Sequence, residues 1–102
     1  MEETVFVRLS ESRSTGYISV EKVFFDEQKI EEEYYGIIEE MGISNPMSLK
    51  DWKDKYHKVK VSYDGRKSHI SYERIKEALV EKGVLEKAGQ GGLMGAYYRF
   101  KK

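Results

Sequence analysis

Residues 70–88 read ISYERIKEALVEKGVLEKA, the strongest folding signal in the chain. Ser71 suits a helix N-cap, because its hydroxyl can accept from one of the backbone N–H groups that the first turn leaves unpartnered. Ile75, Leu79 and Val80 follow at helical spacing, and Gly83 stands where a left-handed stop is needed. Val84–Lys87 is a strand-like run. A glycine-rich tip, Gly89-Gln-Gly-Gly-Leu-Met-Gly95, separates it from Ala96–Phe100, so a terminal hairpin is expected.

Upstream, Val59, Val61 and Tyr63 alternate with Lys58, Lys60 and Ser62 in a strand closed by Asp64-Gly65. Asn45-Pro46 marks a turn. Ser48 with Asp51 resembles a capping box, opening a short helix with Leu49, Trp52 and Tyr56 on one face. Asp26 can cap a helix whose stripe runs through Ile30, Tyr34, Ile37, Ile38 and Met41. Gly42 is placed to end it, with Ile43 folding back on the last turn. At the N-terminus, Val5, Val7 and Leu9 alternate with Phe6 and Arg8, a strand buried mainly on one face. Tyr17–Phe25 fits helix or strand. The expected class is α+β, with residues 1–102 forming one domain.

Ile18-Ser-Val-Glu-Lys-Val23 matches Ile70-Ser-Tyr-Glu-Arg-Ile75, and each copy follows a V-x-V strand and a basic polar loop. This predicts two related strand–loop–helix units, 4–43 and 57–88, packed about a pseudo-twofold axis. Ser19 and Ser71 would then both cap helices.

Fourteen Glu and 13 Lys stand against two Gln, one Asn and no Cys, a balance typical of hyperthermophile proteins. The absence of cysteine excludes disulfide scaffolds, zinc ribbons and thiol nucleophiles. Residues 1–50 carry five basic and eleven acidic side chains, and residues 51–102 carry thirteen and seven. A neutral chain is therefore split into halves of net −6 and +6. No apolar run approaches the length of a membrane span, and Met-Glu-Glu-Thr is unlike a signal peptide, so a cytoplasmic protein is expected.

Few residues suggest chemistry. The glycine-rich tip fails both phosphate-loop patterns and precedes a strand rather than a helix. His57 and His69 are the only imidazoles. Asp54 stands three residues before His57, a spacing that could share a helical face, but no third metal ligand is marked. No serine sits in a nucleophile elbow, and Glu31-Glu32-Glu33 reads as a solvated helix face. No catalytic residue, cofactor or metal is expected. The expected role is a small non-enzymatic adaptor, a monomer or weak homodimer, binding a protein or peptide in a cleft between the two units. Strand edges and Phe6, Arg8, Lys58, Lys60 and Tyr63 would make the contacts.

Residues 68–102 resemble the end of a winged-helix domain: a capped helix, "EKGVLEKA", a glycine-rich wing and the strand "AYYRFKK". That resemblance implies the alternative of a DNA-binding regulator using Arg74, Lys76, Arg99, Lys101 and Lys102. Glu73, Glu77 and Glu81 on the same helix oppose it. In length, Lys/Glu/Tyr richness and lack of cysteine, the chain also resembles small orphan proteins of hyperthermophilic archaeal viruses of the Acidianus filamentous type. That implies action inside an archaeal host cell and carries over no functional residue.

Overall fold

The computed structural model describes residues 2–66, 70–90 and 96–101. The N-terminal alternation builds a long strand, β1 (Glu2–Glu11), that is paired on both edges. It runs antiparallel to β2 (Ile18–Phe24) on one side and to β3 (Tyr56–Ser62) on the other. Arg8 faces Lys22 while Leu9 faces Val20, so Glu21 is an extra residue at a bulge. The bulge keeps Val20 in step with the core face of β1.

Side chains alternate across this sheet, so each face needs its own cover. One face presents Val5, Val7, Val59 and Val61, all buried. It is covered by α3 (Tyr72–Lys82) through Ile75 and Leu79, and by Leu85 and Tyr98 of a hairpin, β4 (Leu85–Gln90) and β5 (Ala96–Phe100). The opposite face presents Phe6, Arg8, Tyr56 and Lys58 toward α1 (Glu27–Met41) and α2 (Leu49–Lys53). Ile30, Tyr34 and Tyr56 are buried there, outside the main cluster. The whole is an α+β domain with a C-terminal hairpin, whose tip at 91–95 lies outside the described residues.

The helix ends follow the local chemistry expected of them. Asp26 accepts from the Gln28 N–H at 2.9 Å, and Ser48 and Ser71 accept from the Asp51 and Arg74 N–H groups at 3.2 Å. Gly42 (φ 61°) and Gly83 (φ 88°) stop α1 and α3 in the left-handed conformation that glycine adopts without strain.

Two expectations are corrected. The matched hexapeptides do not superimpose, because Ile18–Val23 lies in strand β2 whereas Tyr72–Ile75 opens helix α3. Ser19 is a strand residue and only Ser71 caps. The reason lies downstream of the match. Ile75 is followed by Leu79 one helical turn on, whereas Val23 is followed by Phe-Phe-Asp and has its hydrophobic partner across the sheet in Val7. The pseudo-twofold arrangement and its central cleft therefore do not form. Second, Tyr56 is not on the helical face of Leu49 and Trp52, because α2 ends at Lys53 and Tyr56 begins β3.

The free edge of β3 is also occupied. The Lys82 ammonium donates to the Lys58 carbonyl, and the Arg74 guanidinium donates to the Ser62 carbonyl at 2.9 Å. Cations of α3 thus take acceptors that an added strand would need.

The packing predicts two opposite stability changes in urea unfolding. Leu79→Ala, at a fully buried position, should lose about 2–5 kcal/mol. Gly36→Ala, at an exposed position inside α1 where an added methyl meets nothing, should gain roughly 0.5–1 kcal/mol.

Candidate functional site

The residues expected to contact a partner lie mostly on the second sheet face, but not as one free patch. Phe6 and Lys58 pair across β1 and β3 and line a cavity of about 490 Å3 beneath α1 and α2. Lys60 is exposed beyond them, opposite Thr4. Arg8 is engaged, 3.3 Å from Glu21 with its guanidinium 5.0 Å from the Trp52 ring centre. Tyr63 follows the end of β3 and is half-buried.

The cations of the winged-helix alternative are largely occupied within the fold. Arg74 holds the Ser62 carbonyl and stands 3.8 Å from Asp64. Lys76 lies over the Tyr98 ring and 3.9 Å from Glu73. Arg99 donates to the Thr15 carbonyl at 3.1 Å and covers Tyr17, which in turn stacks on Tyr97 with ring centres 4.5 Å apart. Lys101 is exposed, and Lys102 lies outside the described residues. Glu77 and Glu81 occupy the exposed side of α3.

Asp54 and His57 do not share a helical face. Asp54 caps the end of α2, and His57 sits in β3 opposite Val7. Burial, and then the Lys82 charge, push the His57 imidazole below its usual range. His69 lies outside the described residues. Among the described residues no group of three His, Cys, Asp or Glu side chains is placed to hold a metal ion.

The most developed polar cluster centres on Glu33 of α1. Read from sequence as part of a solvated face, its side chain is only 9% exposed. It accepts from the Tyr56 hydroxyl at 2.6 Å, from the Trp52 indole N–H at 3.2 Å and from the Lys22 ammonium. Burial raises the Glu33 carboxyl, but the three donors together outweigh it and hold the group below its ordinary value. Burial and the Glu33 hydrogen bond keep the Tyr56 phenol protonated well above its usual range. Lys53 of α2 reaches across to Glu31 at 2.5 Å and Glu27 at 3.6 Å. These contacts clamp α2 and β3 to the middle of α1.

Beyond the clamp, α1 outruns its cover. Along its stripe Ile30 and Tyr34 are buried and Ile37 and Ile38 half-buried, while Met41 is 71% exposed. Gly42 turns the chain back, and the Tyr34 hydroxyl donates to the Met47 carbonyl at 2.6 Å, pinning the 43–47 segment beside the helix. The result is a cavity of about 250 Å3 floored by Tyr34 and Trp52 and walled by Ile37, Ile38, Ile43 and Met47. Tyr35, whose ring meets that of Tyr34 edge-on, and Met41, one turn beyond Ile37 and Ile38, are exposed on the same helix. Glu39 and Glu40 are exposed at the same end, and the last turn of α1 has no basic residue. Sequence periodicity finds the stripe but assigns all of it to the core. The acidic pair at a helix C-terminus is the one signal that could have marked this end, because carboxylates there oppose the helix dipole.

No protein-family model matches the chain, and no curated protein or solved structure matches it. No helix among the described residues is long and apolar enough to cross a membrane.

The Glu33 cluster makes a pH-dependent contribution with a defined sign. A carboxyl held below its ordinary value of 4.5 stabilises the fold fully above that value, and the contribution is lost as pH falls through the folded-state value. Glu33→Gln should cost about 1.5–3 kcal/mol near neutral pH, the range for hydrogen bonds to a charged group. The gap between the two proteins should narrow when urea unfolding is repeated in acid. A gap indifferent to pH would mean that the carboxylate acts through its shape alone.

Proposed function

We propose that this chain is a non-enzymatic adaptor that receives a short amphipathic helix, basic on its flanks, in the groove between the C-terminal half of α1 and the 43–47 segment. The observation carrying this reading is the uncovered end of α1, where an apolar recess is lined by Ile37, Ile38 and the exposed Ile43 and Met47, with Met41 exposed one turn beyond. Contiguous exposed apolar surface in a small domain is the ordinary mark of an interaction site. A helix laid into such a groove offers anchors at i, i+3 or i+4 and i+7.

Charge selects the partner. The C-terminal end of a helix carries about half a negative charge, and Glu39 and Glu40 add to it with no cation in that turn. A second copy seated α1 against α1 would bring both pairs of carboxylates into one interface, which like-charge repulsion opposes. Lys or Arg flanking an apolar face would relieve the field instead. Strand addition at β3 is disfavoured by the cations already on its edge, and duplex DNA by the internal use of Arg74, Lys76 and Arg99.

Selection of a displayed helix-forming peptide library on the wild type should enrich an apolar i, i+3/i+4, i+7 pattern flanked by Lys or Arg. Ile38→Glu should abolish that enrichment. Glu39→Lys with Glu40→Lys should weaken the selected peptides yet stabilise the free protein, by about 0.3–1 kcal/mol for each charge corrected at the helix end. Failure to enrich the pattern, or enrichment indifferent to Ile38→Glu, would overturn the reading.

A further inference from the structure

A separate recess lies under the other half of α1 and is independent of the groove. The cavity of about 490 Å3 is bounded by the second sheet face, the first turns of α1 and α2. Its size falls within the roughly 300–1,000 Å3 of small-molecule sites. Phe6, Ile30, Leu49 and Tyr56 give it an apolar lining. The recess exists because β3 changes character along this face. Tyr56 is buried under the helices, but Lys58 and Lys60, the next residues on the same side, are exposed lysines. Phe6, directly opposite Lys58, is left half-covered.

The charges at its mouth are unevenly paired. Lys53 is shared between Glu27 and Glu31, so that ion-pair group keeps one carboxylate charge in excess. Lys50 and Lys58 also line the mouth, and among the described residues neither ammonium has an ion-pair partner. Asp54 is the remaining carboxylate there. Lys50 and Lys58 are the lining cations that no carboxylate engages among the described residues, and they stand over an apolar floor, so an anionic head on an apolar body matches the recess.

We propose that this recess binds a small amphiphilic carboxylate, its head between Lys50 and Lys58 and its body against Phe6, Ile30 and Leu49. No covalent step is involved.

The test is a titration of the 15N-labelled full chain with octanoate and, separately, with its neutral counterpart octanol, followed by amide shifts. Octanoate should give saturable shifts centred on Phe6, Ile30, Leu49 and Lys58, and should bind more tightly than octanol. Lys58→Glu, at an exposed position, should weaken octanoate roughly fivefold, the scale of exposed ion pairs, and leave octanol nearly unchanged. Leu49→Trp, which fills the recess, should remove both. Absence of saturable shifts would overturn the proposal, as would shifts centred on Ile38 and Met41. An octanoate affinity that matches octanol and ignores Lys58→Glu would overturn it too. Peptide binding in the groove is unaffected by any of these outcomes, because Ile38 and Met41 do not line this recess.

Discussion

Strand β1 is hydrogen-bonded along both edges, and its side chains alternate between valines and the pair Phe6 and Arg8. A central strand of this kind cannot leave either face bare without exposing apolar surface to water. The face of Val5 and Val7 is sealed by α3 and the hairpin, and every large side chain at its centre is nearly inaccessible. The face of Phe6 and Arg8 must be covered by α1 and α2, which cross it but do not span it. The recess beneath α1 and α2 follows from that incomplete cover, and the groove forms where α1 runs on beyond it.

The clamp around Glu33 sets where the cover stops. One carboxylate receives Tyr56 from β3, Trp52 from the helix before it and Lys22 from β2, so three segments are fixed against the middle turn of α1. A buried carboxylate is tolerable only when its acceptor positions are filled, and here donors from three segments fill them. The Tyr34–Trp52 contact, with ring centres 6.2 Å apart, stands beside it. On the Ile30 side of this contact lies the cation-rimmed recess, and on the Ile37 and Ile38 side lies the apolar groove.

The acidic and the basic half of the chain meet at α2 and the start of β3, whereas Arg8–Glu21, Lys22–Glu33, Lys29–Glu32, Arg74–Asp64 and Lys76–Glu73 each pair within one half. Lys53 from the basic half answers Glu27 and Glu31 from the acidic half, and Trp52 and Tyr56 answer Glu33. What the fold leaves unanswered is more informative. Glu39 and Glu40 crowd the wrong end of a helix dipole, and Lys50 and Lys58 stand at the rim of an apolar recess with no ion-pair partner among the described residues. Local choices that do not serve the chain's own stability concentrate where function is expected.

Much of the fold could be read from residue order, because it rests on local physics. The three capping residues, the glycines that stop α1 and α3, the alternation of β1 and β3 and the closing hairpin all act within a few residues of themselves. The state of Ile18–Val23 could not be read that way. Its resemblance to 70–75 is real in sequence, but Val7 and Leu9 across the sheet outweigh it, and pairing over such a distance is a tertiary effect. The same holds for the sites. The periodicity of α1 shows which side chains share a face, yet only the length of helix that the sheet and α2 can cover separates buried Ile30 and Tyr34 from exposed Met41. Glu33, adjacent in sequence to two other glutamates, became a buried junction because three donors from distant segments converge on that one turn.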